Sequence, residues 1–529
     1  MNRSISFPTQ LPDSMQRTQP VAQGTKYDLL VVGGGINGAG IARDAAGRGL
    51  SVLLCEQDDL AAHTSSASTK LIHGGLRYLE YREFGLVRKA LQERETLLRA
   101  APHIIWPLRF VMPHMPDLRP AWLIRAGLFL YDHLAKRELL PGSRGIVMSR
   151  HPAGAPLVES ITRGFVYSDG WVNDARLVVL NALDAHERGA TILTRTKLVN
   201  AERAGGEWRA RLQRADGTTL DVRASAIANA AGPWVGELLK GALGLPSTHS
   251  VRLVKGSHIV TRRLFEHDHA YIFQNPDKRI IFAIPYEHDY TLIGTTDLEY
   301  RGDPSQVAID ANETQYLCDS INRYFRQKIS PADVRWSYSG VRPLLEDENA
   351  DNPSAVTRDY SLELDAPAAE APLLSVFGGK ITTFRKLAEQ AVDTLSEALR
   401  HDAAAWTVGA PLPGGDIAQA NFNRFLGEFS REHAWLPASL AHRLARAYGT
   451  RANRVIGLAR SRAELGREFA PGLHEAELVY LRDTEWARSA QDVLWRRSKL
   501  GLHVAPGTLE QVTRDIDEWF AREPARQSA

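Results

Sequence analysis

The sequence predicts an α/β fold centred on a Rossmann-like parallel sheet, and three observations carry that expectation. The run Asp28-Leu-Leu-Val-Val32 is short and apolar, as a strand buried on both faces of a parallel sheet must be. Gly33-x-Gly35-x-x-Gly38 follows at once and opens a helical stretch rich in small residues, Ala39 to Arg48. A second apolar run, Ser51 to Cys55, ends at the acid Glu56, about 20 residues beyond the glycine turn.

Each of these elements has a mechanical reason. Gly33 permits the tight turn, Gly35 lets the backbone approach a pyrophosphate, and Gly38 lets helix and strand pack closely. The helix start offers unbonded N–H groups to an anion, and Glu56 accepts from ribose hydroxyls. Together they predict a dinucleotide site. The hydroxyl-rich turn Thr64-Ser-Ser-Ala-Ser-Thr-Lys70 favours FAD over NAD, because it holds a diphosphate from the opposite side and no second glycine fingerprint follows. Taken alone, that turn reads as an ordinary surface loop.

Two later strands, Ala226 to Ala230 and Leu373 to Phe377, run into glycines and are expected to return to the same sheet. Between them, Arg252 to Val260 and Tyr271 to Leu298 are rich in β-branched and aromatic residues around the turn Asn275-Pro276-Asp277, which predicts an inserted antiparallel cap. After the Gly/Pro-rich stretch Gly409 to Gly415, helical periods dominate over Leu436 to Ala459, His474 to Arg497 and Leu509 to Arg522. The expected layout is an oxidoreductase region over residues 27–400 and a helical domain over 405–529. Nucleotide-binding parts cover about 27–105, 165–250 and 335–400, with cap parts at about 106–164 and 251–334. Residues 1–26, with Pro8, Pro12 and Pro20 among Ser, Thr and Gln, read as a disordered extension whose prolines interrupt any amphipathic helix.

Composition narrows the function classes. With 529 residues, 44% hydrophobic and 24% charged, the chain has the make-up of a multi-domain enzyme. A net charge of +2 gives no drive toward nucleic acid, so any anion is recognised locally. Cys55 and Cys318 are too few for a disulfide framework, a zinc site or an iron–sulfur cluster, and they fit a reducing, cytoplasmic compartment. No metal site is expected. No run is long and apolar enough to span a membrane.

Six motifs follow one another along the chain: Gly33-Gly-Gly-Ile-Asn37-Gly-Ala-Gly40, Thr64-Ser65-Ser66-Ala-Ser, Lys70-Leu71-Ile-His73-Gly74-Gly-Leu-Arg77-Tyr78, Lys255-Gly-Ser-His258, Tyr338-Ser-Gly340-Val-Arg342-Pro343 and Phe377-Gly-Gly379-Lys380. In this order they resemble FAD-dependent, quinone-linked glycerol-3-phosphate dehydrogenases of the bacterial type. The resemblance covers about residues 27 to 520 and implies oxidation of sn-glycerol 3-phosphate to dihydroxyacetone phosphate, with electrons passed to ubiquinone at the membrane face. Mitochondrial relatives carry calcium-binding extensions, and the chain contains no Asp-rich EF-hand loop. The resemblance also extends the expected cofactor contacts to Asn37, Thr69, Lys70, Leu71, His73, Gly74, Ala231, Gly232, Gly340, Gly379, Lys380 and Thr382.

A phosphate leaving water needs a basic clamp, and by resemblance Arg342 and Arg77 supply it, with the Tyr78 hydroxyl and Arg358 as further members. Arg342 stands alone as a charge in Trp336 to Pro343, where an unmet charge is costly. Oxidising a secondary alcohol also needs a base, for which His258 is favoured, while His73 is expected to pack near the flavin. Lys380, just ahead of a helix, faces either the flavin pyrimidine ring or the substrate.

Leu118 to Arg137 mixes Trp122, Ile124, Phe129 and Tyr131 with basic residues, which suits either an interfacial or a buried helix. Because ubiquinone lives in the bilayer, the family resemblance implies peripheral attachment to the inner membrane from the cytoplasm; a homodimer is a candidate assembly. Rival readings are direct use of oxygen, an amino-acid or sarcosine oxidase, and a non-catalytic FAD-binding scaffold.

Overall fold

A computed structural model describes residues 21–115, 119–246, 251–277, 279–345 and 359–523. Most of the expected N-terminal extension and Arg358 lie outside these residues. Residues 23 and 24, counted within that extension, are seated on the first sheet: Gln23 donates to Thr219 O at 3.1 Å and Gly24 N to Asp221 O at 2.8 Å.

Strand Lys26–Val32 pairs in parallel with Val52–Cys55 on one side and Thr219–Asn229 on the other. Leu373–Gly378 and Thr191–Leu193 extend the parallel ladder outward, and Tyr360–Asp365 closes one edge antiparallel. Leu29, Leu30 and Val31 are fully buried, which is why this run is apolar without alternation. The returning strands expected at Ala226 and Leu373 lie in this sheet.

Helix Ile36–Gly47 packs against helices Asp174–Glu187 and Phe384–Leu399. Its buried Ala39, Ala42, Ala45 and Ala46 allow that close approach. On the other face, the hairpin of Thr196–Ala204 and Glu207–Arg214 buries Leu198, Trp208 and Leu212 in a second core.

The second sheet is mostly antiparallel. It runs from Leu298–Glu299 through Val251–Arg262, Tyr290–Gly294, Ile280–Tyr286, Ala270–Gln274, Ile105–Pro113 and Arg163–Val172 to Leu71–Ile72, with one parallel pair, Ala270–Gln274 on Ile105–Pro113. Val334–Leu345 pairs antiparallel along Val251–Arg262, setting Arg342 opposite Val254 and Tyr338 opposite His258. All but the first residues of Arg163–Val172 and Val334–Leu345 fall in segments assigned from sequence to the nucleotide-binding parts, and both are strands of this second sheet. The chain crosses back to the first sheet at Asn173, whose side chain caps helix Asp174–Glu187 by accepting from Arg176 N at 3.3 Å.

Helix Ala121–His133 covers part of the second sheet. Ile124, Leu128 and Tyr131, at helical spacing, are buried in its core, while Trp122 (72% exposed), Phe129 (57%), Leu123 and Leu130 face outward.

The C-terminal domain packs helices Phe422–Glu432, Ala438–Tyr448, Glu475–Thr484 and Leu509–Arg522 around Leu440, Leu444, Leu478, Leu481 and Ile516. A π-helical turn, Asp492–Arg497, leaves this domain toward the first sheet. No helix among the described residues is long and apolar enough to cross a membrane.

Candidate functional site

The parallel strands end at a cleft of about 630 Å³, where an open α/β sheet presents its helix N-termini. Gly33, Gly35 and Asn37 form one wall, Glu56 and the Thr64–Ser65 turn a second, Ala231 and Gly232 a third, and Gly379, Lys380 and Thr382 a fourth. The glycine turn is sterically compulsory: Gly33 has φ +113°, and a Cβ on Gly38 would lie 1.9 Å from Gly33 O. Ser65 Oγ accepts from Ile36 N at 3.0 Å, placing a hydroxyl over the start of helix Ile36–Gly47. Asn37 Nδ2 donates to Gly378 O at 3.2 Å and so ties the first glycine turn to the second.

Glu56 is buried, and its carboxylate accepts from Gly34 N at 2.6 Å and Asp58 N at 2.8 Å. Burial raises its carboxyl above the usual range, against the pull of those two N–H groups. Behind it, burial pushes the Cys55 thiol up to about 12, so that side chain packs as a small apolar group.

The segment Thr64–His73 is strung between the sheets. Thr64 Oγ1 donates to Val341 O at 2.7 Å, Tyr338 Oη donates to Ser68 O at 2.9 Å, and His73 N donates to Thr382 Oγ1 at 3.2 Å. Gly340 lines the cleft and lies so near Ala67 that a Cβ there would sit 2.7 Å from the alanine methyl.

A smaller lobe of about 120 Å³ is lined by Arg77, Arg279, Arg342, Tyr78, His73 and Asp169. It shares His73, Tyr78, Leu71, Phe282, Thr295 and Arg342 with the larger cleft. Arg342 donates to Asp297 Oδ1 at 2.8 Å and Thr295 Oγ1 at 3.2 Å. Lys380 Nζ stands 3.8 Å from the centroid of the Tyr78 ring, at the junction of the two spaces.

Other residues singled out from sequence sit elsewhere. His258 is 1% exposed and lines neither space; its ring stacks on Tyr338 at 4.8 Å, and Nε2 is 3.0 Å from Thr69 Oγ1. Burial above all, then Arg342 and Lys70, pushes its imidazolium well below the ordinary range, so the ring is neutral at physiological pH. Lys70 is sealed in an ion pair with Asp174 at 2.8 Å. Ser66 donates to His63 O, and Gly38 and Gly74 pack behind the wall rather than on it.

Arg279, Asp169 and Asp297 escaped sequence reasoning. Arg279 had a local signal, a charge between the turn at Asn275 and the apolar run Ile280-Ile281-Phe282. Asp169 had another, a lone acid in the otherwise uncharged run Gly164 to Val172.

The residues present fit FAD: a glycine turn without room for side chains, a helix start facing the cleft, a buried acid at the second strand's end, and a hydroxyl turn opposite. The lobe beside it offers guanidinium groups to an anionic substrate.

Comparison with known proteins agrees with this geometry. The FAD dependent oxidoreductase family matches residues 28–362, and the C-terminal domain of alpha-glycerophosphate oxidase matches residues 405–523. A glycerol-3-phosphate dehydrogenase from Pseudomonas aeruginosa is 56% identical over 91% of this chain and 93% of its own length. A D-erythritol 1-phosphate dehydrogenase from Brucella abortus is 52% identical over 94% and 99%. The crystal structure of the glycerol-3-phosphate dehydrogenase from Bacillus halodurans, complexed with FAD, is 28% identical, superposes with a TM-score of 0.76, and covers 94% of this chain and 90% of its own. An FAD cleft on a Rossmann-like sheet, a guanidinium-lined lobe beside it and these matches along nearly the whole chain place the protein in the FAD-dependent glycerol-3-phosphate dehydrogenase family.

Proposed function

We propose that the protein oxidises the C2 alcohol of sn-glycerol 3-phosphate to the ketone of dihydroxyacetone phosphate and delivers the two electrons to a membrane quinone. The observation that carries this reading is the convergence of Arg77, Arg279 and Arg342 on a small lobe that opens into the cofactor cleft. Bound FAD supplies the two-electron acceptor for the C2 hydride.

The phosphate takes charge-assisted hydrogen bonds from those guanidinium groups, each worth about 1.5–3 kcal/mol net. Asp297, bonded to Arg342, fixes the direction of its fork. Lys380, at the junction of lobe and cleft, is placed to offset negative charge at the substrate oxygen and would face the flavin edge when the cofactor is bound. His73 opens onto both spaces and takes the hydroxyl proton; His258 holds Thr69 from behind.

Delivery to a quinone requires access to the bilayer. The outward row of Trp122, Leu123, Phe129 and Leu130 on helix Ala121–His133 supports peripheral docking on the cytoplasmic face of the membrane. Activity is then expected in the membrane fraction and released by salt or detergent; full recovery in a low-salt soluble fraction would contradict docking.

Anaerobic addition of substrates to the FAD-loaded protein tests the reaction. Glycerol 3-phosphate bleaches the flavin, whereas glycerol and amino acids do not. Equal bleaching by glycerol would remove the phosphate clamp. Faster bleaching by D-erythritol 1-phosphate would reassign the substrate to a longer polyol phosphate, the type named for the Brucella relative. Peroxide formed at the turnover rate in air would replace the quinone by oxygen.

A further inference from the structure

Beneath the small lobe, the backbone of the segment carrying His73, Arg77 and Tyr78 turns through the glycine pair Gly74 and Gly75, both buried, with Gly75 at φ +76°. Besides the His73 N bond to Thr382 Oγ1, a buried relay holds this turn. Gly74 N donates to Tyr131 Oη at 2.8 Å, and Tyr131 Oη donates to Asp169 at 2.7 Å to Oδ1 and 3.0 Å to Oδ2. Arg94 Nη1 completes it at 2.7 Å from Asp169 Oδ1. The members come from three elements, helix Phe84–Ala100, helix Ala121–His133 and strand Arg163–Val172. A Cβ on Gly74 would lie 2.7 Å from the Tyr131 hydroxyl, so only glycine admits this contact.

We infer that Tyr131 and Asp169 are positioning residues of the substrate lobe: the buried acid orients the tyrosine hydroxyl, which accepts the Gly74 amide and sets His73, Arg77 and Tyr78 against the substrate. The assignment rests on the polyol-phosphate reading of that lobe. Burial raises the Tyr131 phenol well above its ordinary range, with Asp169 adding to the shift, so the hydroxyl keeps its proton and remains a donor to the acid. Asp169 also lines the lobe, but its carboxylate is taken up by Tyr131 and Arg94, so it acts through the tyrosine.

Tyr131→Phe and Asp169→Asn, each in the full FAD-loaded chain, test this together with the double variant. Flavin content matches the parent, while kcat/KM for glycerol 3-phosphate falls by about tenfold to a hundredfold, as a misplaced active-site segment produces. The double variant loses no more than the worse single one, because the two act as one unit. Hydrogen exchange in the peptide covering residues 71–79 is faster in Tyr131→Phe than in the parent. Values of kcat/KM within about twofold of the parent, additive losses, or loss of flavin from both variants would each overturn the assignment. If glycerol 3-phosphate fails to reduce the parent, the substrate reading fails by itself, and the exchange result still decides whether Tyr131 anchors the turn.

Discussion

Arg497 and Asp59, 438 positions apart, meet as an ion pair with almost no access to solvent, Nη2 donating to Oδ1 at 2.8 Å. Arg496 reaches the same carboxylate at 2.6 Å, and Arg497 Nε also donates to Glu485 O at 3.1 Å. Asp59 lies between Glu56 and His63, both of which line the FAD cleft. The π-helical turn of the C-terminal domain therefore holds the loop that carries the cofactor's acid.

Replacing Asp59 by alanine leaves the buried Arg497 without its bidentate partner, with only the Glu485 carboxylate, already shared with Arg176, at 3.9 Å. Breaking a buried pair from one side costs about 3–5 kcal/mol, far more than the pair contributes over a well-packed apolar substitute. The expected result is a large fall in melting temperature and weaker FAD retention, read by thermal denaturation followed through flavin fluorescence. A loss below about 1 kcal/mol would mean that Glu485 or water takes over from Asp59 at Arg497.

Gly38→Ala places a methyl carbon where only 1.9 Å separates it from Gly33 O. Neither partner can yield, since Gly33 already sits at φ +113° between strand and helix. The variant is expected to purify without flavin and to bind added FAD at least about a hundredfold more weakly by fluorescence quenching, because helix and turn must separate.

The first sheet was legible because its signals are local. A glycine turn, its flanking strands and the acid at Glu56 all fall within one short window, and their spacing follows from backbone sterics. The lobe was legible only where motif runs reach it, at Leu71, His73, Arg77, Tyr78 and Arg342. Asp169 arrives on a strand, and Arg279 on the connection just ahead of one, in a sheet whose neighbours are set by long-range register, such as Ala270 opposite Phe110 and Phe110 opposite Tyr167. Register also seals His258 between Gly294 and Tyr338, which no window around Lys255-Gly-Ser-His258 reveals.

Arg342→Ala and Arg279→Ala each remove part of the phosphate clamp. Losing one charge-assisted contact of about 1.5–3 kcal/mol lowers kcat/KM for glycerol 3-phosphate by about tenfold to a hundredfold or more. Arg342→Lys recovers only part of that loss, since an ammonium cannot reproduce the fork held by Asp297. Steady-state kinetics decide it; an unchanged profile would remove the residue from the clamp.

The two histidines separate in the reductive half-reaction. His73→Asn slows anaerobic flavin reduction by about 10²–10⁴-fold, the range for losing a general base. His258→Asn, which keeps a polar group behind Thr69, costs much less. Stopped-flow absorbance compares them directly, and the reverse order would return the base to His258.

His103 makes stability depend on acidity in a calculable direction. It has no solvent access, and among the described residues neither ring nitrogen has a hydrogen-bond partner. Burial, with Arg176, Arg446 and Arg451 nearby, pushes its imidazolium down to about 3. In the unfolded chain it titrates near about 6.5. As pH falls below that value the unfolded chain takes up a proton that the folded chain refuses, so the contribution present at neutral pH is progressively lost down to about pH 3. At about 1.4 kcal/mol per unit, roughly 3 kcal/mol has gone by about pH 4.5. His103→Gln removes this dependence, so its urea-unfolding free energy falls less steeply than the parent's between about pH 7 and 4.5. Parallel curves for the two proteins would mean that the folded state accepts the proton at His103 after all.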